Sequence, residues 1–251
     1  MTYDPGTVSR RAGDGRTPRA GVIVDDWPRP TRRGVTGDKN HETGYADAMP
    51  RPNEHVASLL LTGGASRRMG RDKANLSVDG TTLARRTAAL LERVTALALE
   101  VGPGTSGLAS TSEVPLGGGP LVAIAAGGRA LRGRGHLGDA LVIACDLPLV
   151  TEELLRFLAD YDAPGSVMPV VAGRVQPLLA RWGERHLDLA SLLVARGERS
   201  LRHVVAQPDV TRLEVAHWGH LASAENFADV DRPADLERLG LRVDDVGANE
   251  P

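Results

Sequence analysis

Three residue classes are scarce in this 251-residue chain: cysteine, aromatics and lysine. A single cysteine, Cys145, excludes an intramolecular disulfide and every zinc site built from several thiols, and fits a reducing, cytoplasmic setting. With three Trp, three Tyr and two Phe, the interior must be filled mainly by Leu, Val and Ala. No apolar run approaches the roughly 18 to 20 residues of a membrane span. The arginine pairs Arg10–Arg11 and Arg32–Arg33 lack the apolar stretch that an export signal carries behind them. A net charge of −2 excludes a protein whose main task is to coat nucleic acid or an acidic membrane, so any anion binding must be local. The seven histidines show no metal-ligand spacing.

What is present is a soluble globular composition, 41% hydrophobic and 25% charged, long enough for one large α/β domain or two small ones. Residues 1–53 are rich in Gly, Pro, Arg, Asp and Thr without sustained periodicity, and read as a disordered extension. Nine Lys/Arg against seven Asp/Glu make this segment a mixed tail rather than a basic arm. Met49, just ahead of the first strand, offers an alternative translation start, which would make the tail an over-extended gene start. Residues 54–242 alternate apolar runs of strand length with segments of helical period, the pattern of a mostly parallel sheet between helices. Residues 243–251 read as a flexible C-terminal tail. Strands are expected at Val56–Leu61, Ala96–Val101, Ala140–Cys145, Ser166–Val171, Pro177–Trp182 and Leu213–Ala216. Helices are expected at Thr81–Val94 and Leu121–Leu131, from Thr151 onward, and at His186–Arg196 and Pro233–Leu239. The fold class is therefore α/β, a three-layer α/β/α arrangement.

The richest stretch is Leu59 to Lys73, LLLTGGASRRMGRDK. An apolar strand ending in paired glycines, Gly63 and Gly64, leaves backbone N–H groups free to face an anion, and Arg67, Arg68, Arg71 and Lys73 add charge beside them. Lys73 is one of two lysines, the other being Lys39, in a chain that otherwise uses arginine, which points to a need for a compact ammonium. The spacing is neither the dinucleotide fingerprint nor the P-loop. A second landmark is Asp146, just past the carboxyl end of the strand that finishes Ile143-Ala144-Cys145, where open α/β sheets bind ligands. A carboxylate there can hold Mg²⁺ while substrate phosphates complete the coordination. Asp229 and Asp231, two apart on an extended segment, face one side and can approach one cation. Asp231 also fits an N-cap ahead of the Pro233 helix.

The run LTGGASRRMGRDK resembles the signature L-[AT]-G-G-x-S-x-R-M-G-x-D-K of the molybdenum cofactor guanylyltransferase family, MobA-like nucleotidyltransferases of Rossmann-like fold. The segment Cys145-Asp146-Leu147-Pro148 is similar to the family's metal motif. Gly119-Pro120-Leu121 is similar to its G-P-L-A-G loop, with Ala123 in place of the last glycine. Phe227 to Leu236 resembles F-x-N-x-N-T-P-x-D-L, with aspartate where asparagine is common. The resemblance extends over Val56 to Gly240. It implies transfer of GMP from GTP to the phosphate of molybdopterin or the molybdenum cofactor, with release of pyrophosphate. The roles it implies are catalytic for Arg68, Lys73 and Asp146, and nucleotide-binding for Leu61, Thr62, Gly63, Gly64, Lys73, Glu113, Gly119, Pro120 and Asp146. Asp146 and Asp229 would hold Mg²⁺, and Glu113 would read the guanine N1–H and 2-amino group. Gln176, Arg199, Arg202 and Asp231 are the candidates for the second substrate. Molybdoenzymes or cofactor-assembly proteins are the implied protein partners, with no nucleic acid and no membrane. Cytidylyl transfer to the same cofactor, transfer to a sugar or other small phosphate, and a catalytically silent nucleotide-binding adaptor stay open.

Overall fold

The computed structural model describes residues 51–63, 73–242 and 244. Strand β1 (Ala57–Leu61) is buried throughout between two helical layers, and its one polar side chain, Ser58, shares a hydrogen bond with the Thr95 hydroxyl at 2.7 Å. A 3-10 turn at Lys73–Asn75 leads into a hairpin of β2 (Ser77–Val78) and β3 (Thr81–Thr82). Its turn residues Asp79 and Gly80 both have positive φ, 51° and 83°, which an Asp-Gly pair tolerates and a two-residue hairpin needs. Thr82 then caps α1 (Leu83–Val94) through its hydroxyl, which accepts from the Arg85 amide.

There follow β4 (Ala98–Val101), β5 (Ala109–Thr111), α2 (Pro120–Arg132), β6 (Ala140–Ala144) and α3 (Glu152–Asp160), the last capped by Thr151 as expected. The second half holds β7 (Ser166–Val171), β8 (Arg174–Val175), β9 (Leu179–Trp182), α4 (Glu184–Ala195), α5 (Arg202–Val205), β10 (Val210–Leu213), α6 (Val215–Trp218) and α7 (Pro233–Arg238). The main sheet runs β10-β7-β9-β6-β1-β4-β5, with β8 attached to β7. All its pairings are parallel except those of β9 with β6 and β7 and of β8 with β7.

Alternate residues of β1 serve the two faces. Leu60 joins Leu91, Ile143 and Leu154 beneath α1 and α3, while Leu59 and Leu61 join Ile124, Val142 and Trp182 beneath α2 and α4. The result is the expected three-layer α/β/α domain with a mostly parallel sheet. A third, smaller core joins Leu76, Val78 and Leu83 of the hairpin arm to Val230 and Leu236 of the C-terminal segment.

One element differs in kind. The stretch expected as a strand at Leu213–Ala216 is instead the end of β10 and the start of α6. The strand begins at Val210 because it is registered on β7 from Val210↔Ser166 to Leu213↔Pro169. The Glu214 carbonyl then accepts from the His217 amide at 2.8 Å to open the helix, and the Trp218 indole donates to the Leu213 carbonyl. Asp244 lies in the segment read as a tail, yet its carboxylate accepts from the Ser77 hydroxyl at 2.5 Å and the Gly80 amide at 2.8 Å. Among the described residues no helix is long and apolar enough to cross a membrane.

Candidate functional site

The sheet changes direction at β1: β4 and β5 lie on one side of it and β6 on the other. Ligands of open α/β sheets bind in the crevice beyond the carboxyl ends of strands at such a point. A cavity of about 260 Å³ occupies that place. Leu61, Thr62 and Gly63 form one wall at the end of β1, and Ala144, Cys145 and Asp146 form another at the end of β6. The two walls are joined by a hydrogen bond from the Cys145 amide to the Leu61 carbonyl, 3.1 Å.

Helix α2 points its first turn at the cavity. Gly119 adopts φ 89°, which a side chain would resist, and Pro120 occupies the first helical position, where its fixed φ and missing N–H cost nothing. Both line the cavity. Ala123, the departure from the family's glycine, also lines it. Its amide is already committed to the Gly119 carbonyl at 3.1 Å, so the extra methyl changes the wall and removes no free donor. Glu113 is 6% exposed, and its Oε1 accepts from the Gly117 amide at 2.8 Å. Its Oε2 lies 3.5 Å from where a Cβ on Gly63 would stand, so glycine at 63 leaves that oxygen uncovered.

Lys73 enters from the turn that follows β1. Its ammonium donates to Asp231 and lies 3.5 Å from Asp146 Oδ2. Burial opposes the charge on Lys73, but the hydrogen bond to Asp231 and the field of both carboxylates outweigh it and raise the ammonium pKa above its ordinary value. Asp146 is pushed up by burial, against the pull of Lys73 and with the added repulsion of Asp229. The Asp229–Asp231 segment is brought there by its backbone, the Val230 amide donating to the Asp146 carbonyl at 2.9 Å. Asp231 does not cap α7. The Asp235 carboxylate takes the amides of Asp231 and Arg232 at 2.9 and 2.8 Å, which leaves the Asp231 side chain to Lys73.

The donor set suits a hard divalent cation. Asp146 and Asp229 supply carboxylate oxygens close enough to repel each other, while among the described residues no cluster of three or more His, Cys, Asp or Glu could hold a metal alone. Two protein carboxylates with the rest supplied by substrate phosphates is the habit of Mg²⁺.

Other candidates lie elsewhere. Gln176 sits one bend away from Leu178, which lines the cavity, but its amide nitrogen turns back to the Arg174 carbonyl at 3.1 Å. Arg199 is exposed and donates to the Val194 and Glu198 carbonyls, and Arg202 is exposed at the start of α5. Neither lines the cavity. Gly64 and Arg68, with Arg67 and Arg71, lie outside the described residues, as do residues 1–50 of the expected N-terminal extension.

The residue that sequence reasoning missed is Glu100. It is fully buried at the end of β4, and its carboxylate accepts from Thr62 Oγ1 at 2.5 Å and from the amides of Gly104, Thr105 and Ser106 at 2.8, 3.0 and 2.8 Å. The Ser106 hydroxyl adds a fifth bond at 2.6 Å. Burial works against ionisation, but the hydroxyls of Ser106 and Thr62 and the loop amides prevail and hold the carboxyl below its ordinary value. A glutamate inside Ala98-Leu-Glu-Val101, directly ahead of Gly102-Pro-Gly-Thr-Ser, was the available signal.

Residues 58–213 match the family described as MobA-like NTP transferase domain. A protein named probable molybdenum cofactor guanylyltransferase from Mycobacterium tuberculosis (strain H37Rv) is 32% identical over 191 residues, 71% of this chain and 92% of that protein. A protein of the same name from Opitutus terrae is 32% identical over 183 residues, 65% of this chain and 90% of its own length. Among solved structures, molybdopterin-guanine dinucleotide biosynthesis protein A from Archaeoglobus fulgidus superposes with a TM-score of 0.61 at 22% identity, covering 73% of this chain and 96% of that one. The family match runs from the second residue of β1 to the last of β10 and so takes in the cavity walls, Lys73, Glu113 and Asp146; the chain belongs to the MobA-like NTP transferase domain family and is a nucleotidyltransferase.

Proposed function

We propose that the protein transfers GMP from GTP to the terminal phosphate of molybdopterin or its metal-loaded form, in the cytoplasm, releasing pyrophosphate. The observation that carries this reading is the meeting of Lys73, Asp146 and Glu113 around one cavity at the β1/β6 switch point. Its relatives named molybdenum cofactor guanylyltransferase support the choice of substrates.

Little covalent work falls to the protein in such a transfer, because alignment and charge neutralisation carry most of the rate. Glu113, with one oxygen tied to Gly117, keeps an acceptor for the paired donors of a guanine edge. Gly63 lets the nucleotide approach the backbone, and Gly119-Pro120 forms the cavity's opposite side. Lys73 swings from Asp231 to the triphosphate and neutralises the departing pyrophosphate. Mg²⁺, which Asp146 and Asp229 would hold, supplies neutralisation of phosphate oxygens when bound. The acceptor is already an ionised phosphate, so no strong general base is required.

The test is pyrophosphate release by the full chain with Mg²⁺, molybdopterin and each of GTP, CTP, ATP and UTP. GTP is expected to be used far better than the others. Equal or better use of CTP would move the assignment to a cytidylyltransferase, and nucleotide binding without pyrophosphate would leave a silent binding protein.

A further inference from the structure

Glu100 meets the nucleotide cavity through Thr62, a lining residue whose hydroxyl donates to its carboxylate. Its carboxylate collects five neutral donors from two directions: the Thr62 hydroxyl on the β1 side, and four groups of the loop Gly104–Ser106 on the other. Only an ionised carboxylate, with acceptor sites alone, satisfies five donors; a glutamine would turn its NH₂ toward some of them. A fully buried anion is costly unless it is hydrogen-bonded in this way, so the loop is bound to it as firmly as it is bound to the loop.

Two features carry that order into the nucleotide cavity. The first is steric. Gly102 approaches so closely that a Cβ there would lie 2.0 Å from Thr62 Oγ1, so only glycine at 102 leaves the space in which the Thr62 hydroxyl reaches Glu100. Thr62 and the following Gly63 are cavity walls, and both of their amides bond to the Val101 carbonyl.

The second feature is the edge strand. β5 follows the Glu100 loop, has three residues, and none of them is buried. Among the described residues it is paired only with β4. With so little side-chain burial of its own, β5 takes its position from that pairing and from the anchored loop before it. Two residues after β5 stands Glu113.

From this we propose that Glu100 is a positioning residue for base selection: by clamping Thr62 and the loop ahead of β5 it fixes Gly63 and Glu113 relative to each other, and so sets the width of the slot that a guanine edge must fill. The proposal rests on Glu113 reading the base, as in the function proposed above. The ligand it tunes is the purine of the nucleoside triphosphate.

The experiment compares kcat/KM for GTP and for ATP, with Mg²⁺ and molybdopterin, in the wild type, Glu113→Gln, Glu100→Gln and Ser106→Ala. Glu100→Gln is expected to lower the GTP:ATP ratio about tenfold, through a higher KM for GTP with kcat nearly unchanged. Ser106→Ala, which removes one of the five donors, moves the ratio the same way by less. Should Glu100→Gln fail to fold, Ser106→Ala decides. A lowered melting temperature with the wild-type ratio retained, while Glu113→Gln loses it, would overturn the proposal. If the wild type itself shows no preference for GTP, the proposed function falls and amide hydrogen exchange judges Glu100 separately. Loss of protection over residues 102–113 in Glu100→Gln then supports the clamp, and unchanged protection refutes it.

Discussion

Lys73 and Asp231, 158 positions apart in sequence, form an ion pair at the mouth of the cavity, with Asp146 3.5 Å from the same ammonium. The pair exists because the hairpin that follows Lys73 and the segment around Val230 share one small core, so a local apolar cluster brings together opposite charges from the two ends of the domain. The lysine is only 16% exposed whereas Asp231 is 44% exposed, so the carboxylate is the partner that water or a ligand can more readily replace.

Lys73 and Asp146 are expected to be indispensable. Losing one cationic or metal contact in a site of this kind costs about 2.7 to 4 kcal/mol of barrier, a hundred- to thousand-fold in rate. Lys73→Ala and Asp146→Ala should therefore each abolish useful pyrophosphate release while circular dichroism and melting stay close to wild type. Lys73→Arg should not rescue, since a planar fork does not replace a compact ammonium. Retention of more than a tenth of the activity by both alanine variants would remove them from the chemistry.

Asp231→Asn should behave differently. An amide oxygen still accepts from Lys73, but the negative charge facing a triphosphate is gone, and the lysine is released to the phosphates with less opposition. Equilibrium titration at low salt should show tighter GTP binding with turnover preserved. A loss of turnover as deep as that of Asp146→Ala would make Asp231 a ligand of the metal or substrate instead.

The parts of this site that could be read in the chain are those with a short-range signature. Glycines after an apolar strand, a lysine among arginines, an aspartate past a strand and a Gly-Pro pair before a helix each have a local physical reason, and the structure gathers Gly63, Lys73, Asp146, Gly119 and Pro120 at one cavity. The Gly63 amide, expected to face an anion, is bonded instead to the Val101 carbonyl at 3.3 Å, because the β1–β4 pairing runs on past the strand end. Glu100 escaped because its partners are loop amides and a threonine of another strand, and a glutamate carries no local mark of being buried. Asp231 invited an N-cap reading because it stands just ahead of a helix; only the fold reveals that Arg232 holds the cap position, that Asp235 reaches back to the amides of Asp231 and Arg232, and that the Asp231 side chain goes to Lys73. The register of β10 against β7 is equally non-local, which is why the strand begins three residues before the expected one.

Acid should inactivate the enzyme earlier than an ordinary aspartate would allow. Burial, with Asp229 adding to it, raises the Asp146 pKa above the usual 3.8, so this carboxylate takes up its proton at a higher pH than a solvated one. Because the folded form binds that proton more tightly, this group's contribution to stability falls as pH rises through the window above 3.8, and acid loss of activity is then not unfolding. A pH profile at limiting Mg²⁺ should fall on the acid side while the fold persists, and raising Mg²⁺ should move that limb to lower pH because metal and proton compete for one carboxylate. A limb insensitive to Mg²⁺ would separate Asp146 from the metal.

Two adjacent glycines of α2 should respond oppositely to alanine. A Cβ on Gly127 would come within 2.7 to 2.9 Å of Leu59 and Val101, both fully buried beneath the helix and without room to yield. On Gly128 the nearest neighbour, Leu187 Cβ, stands at 3.4 Å. Gly127→Ala should cost about 1 to 3 kcal/mol by overpacking, while Gly128→Ala should be neutral or gain up to about 1 kcal/mol of helix propensity. Denaturant midpoints of the two variants check this, and equal shifts would contradict the close approach of α2 to the sheet.

Asp244 should matter to catalysis although it lies far along the chain from every cavity residue. Its carboxylate holds the Ser77 hydroxyl and the Gly80 amide, and its own amide donates to the Ser77 carbonyl at 3.1 Å. The Ser77 hydroxyl comes first, with the Gly80 amide behind it, in keeping this carboxyl below its ordinary pKa, so the fastening is retained at neutral pH. The hairpin it grips begins two residues after the 3-10 turn that carries Lys73. Releasing one side of that arm lets Lys73 wander between carboxylates and substrate, which weakens its grip on the triphosphate before it weakens the fold. Asp244→Ala, or a chain ended at Arg242, should therefore raise the KM for GTP with little change in melting temperature, whereas cutting after residue 244 should leave KM unchanged. If both truncations match the wild type, the contact with Ser77 does not position Lys73, and the arm keeps its place through the small core of Leu76, Val78, Leu83, Val230 and Leu236.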